Sequence, residues 1–437
     1  MAFSSFHDIL GRRISRISRY GSRLIQFQPL PHDQGEVMAA AAAPRKGVAK
    51  DLGALKRQLA QAPEGRRLLF LNGNLNYSYD AEAVLAQLHA CVQRRDRLLL
   101  LAYSPYWAWL HRLAQSLGLR RAQVPLTFLT RTDVNNLAKL AGFEVLQARP
   151  VAVFPFKLFG LGTLCNALLE ALPLTRAAAF AMLLVLRPLG KKGKAPSLSI
   201  VIPARDEKGN IEAALRRLPA FQVPVEVVFV EGHSSDGTWE EIQRVSRKAW
   251  KGVKIKALRQ PGKGKADAVR VGFKACSGDL LTVLDADLTM PPELLPRFYQ
   301  AYASGAADFV NGTRLVYPME GEAMRFLNWL GNIFFAKALS FTLEAPLGDS
   351  LCGTKLFARA DYAWMLRWNQ DFGRFDPFGD YEMLFPAAEL GLGLIDVPIR
   401  YRDRTYGSTK IHRFRDGLIL LRMTAVGLWQ VRLGAGR

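Results

Sequence analysis

Two aspartates one residue apart, Asp285-Ala286-Asp287, stand directly behind the apolar run 280–284. A buried strand that ends this way can deliver two carboxylates to one hard cation, which needs only one or two of them when substrate phosphates supply its other oxygens. Neutralising a departing diphosphate is the obvious use of such a cation. Two more apolar runs end in acids. Run 198–202 leads through Pro203 and Ala204 to Arg205, Asp206 and Glu207, and run 225–230 leads to Glu231 and then Asp236. Uninterrupted apolar strands imply a parallel sheet covered on both faces, and ligands of such sheets bind at the carboxyl ends of the strands. Acids gathered at that edge mark a site.

The elements that would build the edge are legible. Ile211, Leu215 and Leu218 have helical spacing behind Asn210 as N-cap, and Trp239, Ile242 and Val245 begin a second helix. Residues 255–258 read as a third strand, after which Ala266, Val269, Phe273 and Cys276 share one helix face that closes at Gly278. The repeated strand–helix unit makes 197–412 an α/β domain with a mostly parallel sheet. Gly264-Lys265 is not a nucleotide P-loop, because Ala266 stands where Ser or Thr should bind magnesium and the upstream glycine is missing. A sugar nucleotidyltransferase would open its sheet with a glycine-rich turn, whereas this sheet opens with Pro203-Ala204-Arg205.

Four motifs in order carry a resemblance. Ile200-Val201-Ile202-Pro203-Ala204-Arg205-Asp206-Glu207, Glu231-Gly232-His233-Ser234-Ser235-Asp236-Gly237-Thr238, Gly262-Lys263-Gly264-Lys265-Ala266-Asp267-Ala268 and Asp285-Ala286-Asp287 resemble those of family 2 glycosyltransferases with the Rossmann-like GT-A fold. The resemblance implies that Pro203, Ala204, Arg205 and Glu207 hold base and ribose, and that Glu231 holds the base. Asp236, Lys265 and Asp285 would complete the nucleotide-sugar site, with Asp285 and Asp287 on Mg²⁺ or Mn²⁺. Glu231 is longer than the family's usual Asp and Gly232-His233 replaces Asp-Gly, which leaves the donor base open.

Later motifs concern the acceptor. The segment 349–355, with Cys352-Gly353-Thr354-Lys355, is similar to an acceptor-side loop of the dolichol-phosphate mannose synthase group, and Arg404-Thr405-Tyr406-Gly407-Ser408-Thr409-Lys410 resembles that group's RxxGxSK. Lys355, Arg404 and Lys410 are therefore expected on acceptor or diphosphate, where fixed positive charge meets phosphate oxygens. Gly379-Asp380-Tyr381-Glu382 falls where the family places its catalytic base, with Asp376 and Glu382 as rivals to Asp380. A hydroxyl acceptor needs that base; a lipid phosphate is already largely anionic, so Asp380 would then orient it instead. The implied activity is metal-dependent, inverting transfer of a sugar from a nucleotide-diphosphate donor to a polyprenyl phosphate or a cell-envelope glycan or lipid. A catalytically inactive scaffold is the rival, against which the presence of Glu207, Glu231, Asp285, Asp287 and Asp380 argues.

The first half has a different character. Residues 1–66 read as a basic amphipathic arm, with Leu10, Ile14 and Ile17 among Arg12, Arg13, Arg16, Arg19 and Arg23, followed by a linker. Over 67–188, Leu68-Leu69-Phe70-Leu71-Asn72 with Tyr79-Asp80, and Leu140-Ala141-Gly142-Phe143-Glu144-Val145, resemble the C-terminal half of a class I methyltransferase that uses S-adenosylmethionine. Such an enzyme needs a glycine-rich turn after its first strand and an acid on the next, and residues 1–66 show neither. A partial α/β domain that does not bind S-adenosylmethionine is expected, as a relic or as a domain whose front is missing.

A linker at 189–196 joins the halves, and 413–437 reads as an amphipathic helix suited to a membrane interface because Arg422 interrupts it. The apolar stretches 158–169 and 177–186 are too short and too closely flanked by charge to span a bilayer. Lys+Arg 59 against Asp+Glu 38 gives +21, which calls for a polyanionic partner. Spread of the basic residues along the chain, with no reading motif, favours nucleotide phosphate and an anionic membrane surface over nucleic acid. Four unpaired-looking cysteines and no secretory leader place the protein in the cytoplasm, peripheral at the membrane face.

Overall fold

Where the sequence runs apolar without interruption the chain forms strands buried on both faces, and where apolar residues recur every three or four it forms helices. The structure, a computed structural model, describes residues 4–31, 33, 35–62, 65–118, 124–152, 166, 169, 179–191, 193–250, 252–318, 326–373, 376, 378–404, 406 and 413–432. The chain divides into two units, the first Met1–Lys191 with Glu389–Gly391 and Trp429–Arg437, the second Lys192–Ala388 with Leu392–Leu428.

In the first unit, strands β1 (Arg23–Phe27), β2 (Lys46–Ala49), β3 (Arg67–Asn72), β4 (Arg97–Tyr103), β5 (Phe143–Val151) and β6 (Ala181–Pro188) form a six-stranded sheet in the order β2-β1-β3-β4-β6-β5. The first four are parallel; β6 enters antiparallel between β4 and β5. Helices α1 (Ser4–Ser18), α2 (Glu36–Ala40), α3 (Leu52–Ala60), α4 (Ala81–Cys91), α5 (Ala108–Ser116) and α6 (Arg131–Leu140) complete it. Alternation along β3 and β4 splits the core in two. Leu69, Leu71, Leu98 and Leu100 pack with Leu55 and Leu59 of α3 and Leu85 and Leu88 of α4, while Leu68, Phe70, Leu99 and Leu101 pack with Leu10, Ile14 and Ile17 of α1.

Residues 1–66 thus differ from the expected arm and linker. Leu10 and Ile14 have no exposed surface, and burial of such side chains stabilises a fold by roughly 1.5–3 kcal/mol each, which makes α1 a core helix; of its arginines Arg12 is exposed, while Arg13 and Arg16 are half-buried. Strands β1 and β2 escaped notice because Lys46-Gly47-Val48-Ala49 has no local β pattern; its pairing with β1 makes it a strand. Residues 181–188 form a central strand, whereas most of 158–169 lies outside the described residues.

The second unit holds β7 (Leu198–Ala204), β8 (Val225–Glu231), β9 (Val253–Arg259), β10 (Leu280–Val283), β11 (Phe309–Thr313), β12 (Lys355–Ala358) and β13 (Leu394–Pro398). Their order is β13-β11-β12-β10-β7-β8-β9, with β10, β7, β8 and β9 mutually parallel and β12 antiparallel to both neighbours. The α/β fold with a mostly parallel sheet is as expected. Its helices are α7 (Lys208–Arg216), α8 (Thr238–Ser246), α9 (Lys265–Ala275), α10 (Leu295–Ala303), α11 (Phe326–Leu343), α12 (Arg359–Phe372), α13 (Tyr381–Glu389) and α14 (Arg413–Gly427). Asn210 is not the cap of α7: Glu207 holds that position, and Asn210 donates its amide to the Glu207 carboxylate at 2.7 Å from within the helix. Gly272 lets α9 lie directly on β7, since a Cβ there would collide with Val201. This close approach fixes where the start of α9 meets the carboxyl edge.

Candidate active site

The register brings the predicted acids level. Ala204 pairs with Glu231 and Glu231 with Arg259, so β7, β8 and β9 end together, while β10 stops at Val283 opposite Val201 and the chain continues from there to Asp285. Pro203 and Ala204 are the last residues of β7, after which Asp206 turns the chain at φ 54 with its N–H donating to Ser234 Oγ at 3.0 Å. Arg205 is the most exposed of this group, its side chain 60% accessible. Glu231 is buried and accepts the Ser234 N–H at 2.5 Å, and Arg259 stands 3.7 Å from its other oxygen. Asp236 accepts N–H groups from Lys208 at 3.1 Å and Thr238 at 3.0 Å, binding together the starts of α7 and α8. That makes its role in part architectural.

At the end of β10, each member of the aspartate pair meets a cation. Asp285 lies 2.5 Å from Lys265 Nζ, the first residue of α9, which Gly264 delivers at φ 88. Burial would raise the Asp285 carboxyl, but the Lys265, Lys355 and Arg314 charges outweigh it and hold it below the usual range. Burial opposes the charge on Lys265, yet the carboxylates of Asp285, Asp380 and Asp287 raise its affinity for the proton overall. Asp287 is fixed by Thr289, whose N–H and hydroxyl donate to Oδ1 at 3.1 and 2.9 Å; Oδ2 accepts from Arg404 Nη2 at 2.6 Å. Two hard carboxylates of adjacent register suit Mg²⁺ or Mn²⁺, and no cluster of three or more His, Cys, Asp or Glu ligands occurs among the described residues. A cation held there would take its remaining oxygens from the ligand.

The acceptor-side residues are placed differently from expectation. Lys355 does not face a phosphate: it is wholly buried on β12, and its ammonium contacts Asp380 Oδ1 and the Cys352 carbonyl, both at 2.5 Å. A β-strand lysine reads as surface in sequence, and only the buried carboxylate opposite explains it. Arg404 reaches the donor edge, with Nη1 3.1 Å from Glu207 and Nη2 on Asp287. Lys410 lies outside the described residues. Asp376 accepts backbone N–H groups from Phe378 at 2.8 Å and Tyr381 at 2.7 Å at the start of α13, while burial, then the Asp380 anion, push its carboxyl up to about 6. Glu382 is held by Arg270 at 2.9 Å.

Two features were missed in the sequence. Arg314, at the end of β11, forms a bidentate pair with the buried Asp349 at 2.6 and 2.9 Å and lies 5.4 Å over the Tyr401 ring. Gly312-Thr313-Arg314 behind an apolar strand was the available signal. Gly353 packs so tightly on Lys265 and Asp285 that a Cβ would collide with both, which explains a glycine in the Cys352-Gly353-Thr354 loop.

A sequence profile of Glycosyl transferase family 2 matches residues 199–363. The chain is 38% identical over 122 residues to a dolichol-phosphate mannosyltransferase of Pyrococcus furiosus, covering 27% of this chain and 33% of that protein. It is 32% identical over 223 residues to a dolichyl-phosphate hexose transferase of Haloferax volcanii, covering 50% of this chain and 89% of that one. Among solved structures, glucosyl-3-phosphoglycerate synthase of Mycobacterium tuberculosis, crystallised with Mn²⁺, uridine diphosphate and glucosyl-3-phosphoglycerate, aligns at 18% identity and a TM-score of 0.39, over 55% of this chain and 80% of that one. With nearly nine-tenths of the Haloferax relative covered at that identity, the chain belongs to glycosyl transferase family 2.

Proposed function

We propose that the second unit transfers a sugar, with inversion, from a nucleotide-diphosphate donor to a polyprenyl phosphate, at the cytoplasmic membrane face and with Mg²⁺ or Mn²⁺. The observation that carries this is the Asp285–Asp287 pair at the end of β10, enclosed by the cations Lys265 and Arg404. Carboxylates for a metal beside fixed cations for phosphate are what a diphosphate leaving group requires. Pro203, Ala204, Arg205, Glu207, Glu231 and Asp236 line the same edge and would receive base and ribose. When bound, the cation would neutralise charge that builds on the diphosphate. Lys265 would add a second positive charge from the start of α9, where the helix dipole also favours an anion.

Asp380 is better fitted to orient the acceptor than to take its proton, because protonating it would strip the buried Lys355 ammonium of the carboxylate it is directly paired with. That favours an acceptor already ionised, such as a lipid phosphate. The named activities of the Pyrococcus and Haloferax relatives point to the same acceptor class. A hydroxyl on a glycan is the alternative. Helices α11 and α14 pack together and expose Trp329, Leu330, Phe334, Phe341, Leu418 and Leu421 with Lys337, Arg415 and Arg422, a composition suited to an anionic bilayer surface. Among the described residues no helix is long and apolar enough to cross a membrane.

For the first unit we propose a scaffold that does not bind S-adenosylmethionine. In support, Asp33 fills the carboxyl edge of its parallel strands, accepting from Gln26 at 2.5 Å and Asn72 at 2.7 Å. Incubating the full chain with Mn²⁺ and UDP-, GDP- or other nucleotide-sugars, with and without polyprenyl phosphate, tests the main reading. Lipid-stimulated, EDTA-blocked release of one nucleotide diphosphate is expected. Absence of release and of donor binding under every condition overturns it.

A further inference from the structure

Asp287 does not present an open carboxylate. Arg404 Nη2 donates to Asp287 Oδ2 at 2.6 Å, and Nη1 donates to Glu207 Oε1 at 3.1 Å, so one guanidinium spans the end of β10 and the turn after β7. The stretch that carries it is tied down on both sides. Upstream, the Arg402 N–H donates to the Thr289 carbonyl at 2.9 Å, and Thr289 is the residue that fixes the other oxygen of Asp287. Downstream, Tyr406 Oη donates to Asp236 Oδ2 at 3.2 Å, and the ring lies against Gly209, where a Cβ would come within 2.7 Å of it. All three ties fall on the proposed donor edge. Arg404 is only a quarter exposed, and the carboxylates it bridges are less so.

A divalent cation and a guanidinium compete for Asp287 Oδ2: the oxygen has lone pairs for both, but two cations at contact distance in a half-buried site repel strongly. We propose that Arg404 is a placeholder for the divalent cation: it neutralises Asp287 and Glu207 until metal and nucleotide arrive, is displaced from Asp287 by the metal, and then meets the diphosphate. This rests on the donor-site reading above and adds a competition to it. Metal alone must bind weakly, because it has to evict Arg404. Metal with nucleotide must bind well, because the displaced guanidinium finds the phosphates, to which its planar fork is matched. Nucleotide and metal are thereby made to bind together.

The competition gives Arg404 effects of opposite sign on two affinities, which a purely structural tie would not. Binding of Mn²⁺ is followed by loss of the free-ion electron paramagnetic resonance signal, first alone and then with UDP or GDP. Arg404→Gln is expected to tighten binding of Mn²⁺ alone by about fivefold or more, the size of a typical coupling between sites, and to weaken binding of the Mn²⁺–nucleotide complex by a similar factor. Arg404→Lys, which keeps a charge near Asp287, should retain weak Mn²⁺ binding and guards against a loss of fold in the first variant. Asp287→Asn should abolish specific Mn²⁺ binding. If Asp287→Asn abolishes it while Arg404→Gln leaves the affinity for Mn²⁺ alone unchanged or lower, the placeholder role is overturned and the metal site stands. If the Asp287→Asn protein binds Mn²⁺ as the unaltered protein does, the metal site is overturned and the placeholder with it.

Discussion

Lys355 and Asp380 form an ion pair inside the second unit, with the lysine wholly buried and the aspartate 8% exposed. The pair joins β12 to the turn before α13, and the Lys355 ammonium also holds the Cys352 carbonyl. It therefore ties the loop that carries Gly353 to the residue expected to face the acceptor. Removing one partner leaves the other charge buried and uncompensated, which costs about 3–5 kcal/mol, whereas replacing both with apolar groups is far milder. Lys355→Met should lower the free energy of urea unfolding by that order, and Lys355→Met with Asp380→Leu should recover most of the loss. A single variant as stable as the original chain would show that the pair bears no such load.

Asp376 gives the second unit a pH signature. Its carboxyl is raised, by burial first and by the Asp380 anion second, to about 6 from an ordinary 3.8. The folded chain therefore binds more protons than the unfolded one between about pH 4 and 6, and stability falls as pH rises through that window. The full effect is on the order of 2–3 kcal/mol at one unit above the folded value. Asp376→Asn cannot ionise, so its stability relative to the unaltered chain should rise between pH 4 and 6 and level off above. Parallel pH profiles for the two proteins would contradict the assignment.

Asp287→Asn should leave the fold intact while donor turnover falls by about a hundredfold or more, since a Lewis-acid cation supplies several kcal/mol of charge stabilisation. The same variant at raised Mn²⁺ should stay slow. Unchanged turnover with an unchanged melting curve would remove Asp287 from the chemistry.

Much of this edge was legible because the features that make it are local. The runs around Leu198, Val225 and Leu280 are strands by composition alone, and acids that follow such runs must lie at one edge of a parallel sheet. Long-range features were not legible. Strand β2 exists because β1 pairs with it, and α1 is a core helix because Leu68, Phe70, Leu99 and Leu101 turn one face toward it. Lys355 was read as a phosphate ligand because its motif says where it lies in the chain and nothing about the carboxylate opposite. For Arg314 the Gly312-Thr313-Arg314 signal marks a strand end and nothing more; its meaning comes from Asp349, 35 residues on.

Gly353 offers the sharpest separation of site from fold. The residue needs no left-handed backbone, so alanine is conformationally tolerated, but its methyl would be driven into Asp285 Oδ2 and Lys265 Nζ. Either the loop retreats from the strand end or the Lys265–Asp285 pair is pushed apart. Displacements near 1 Å in a positioning contact cost roughly a hundredfold in rate, so Gly353→Ala should lose ten- to a hundredfold in kcat/KM for the donor. The unfolding midpoint should change less than turnover, since the atoms the methyl meets are the side-chain ends of Asp285 and Lys265 rather than core carbons. Binding of the nucleotide diphosphate, measured by calorimetry with Mn²⁺ present, should weaken in step with turnover. If the affinity holds while the melting temperature drops, Gly353 serves loop packing and not the geometry of the Lys265–Asp285 pair.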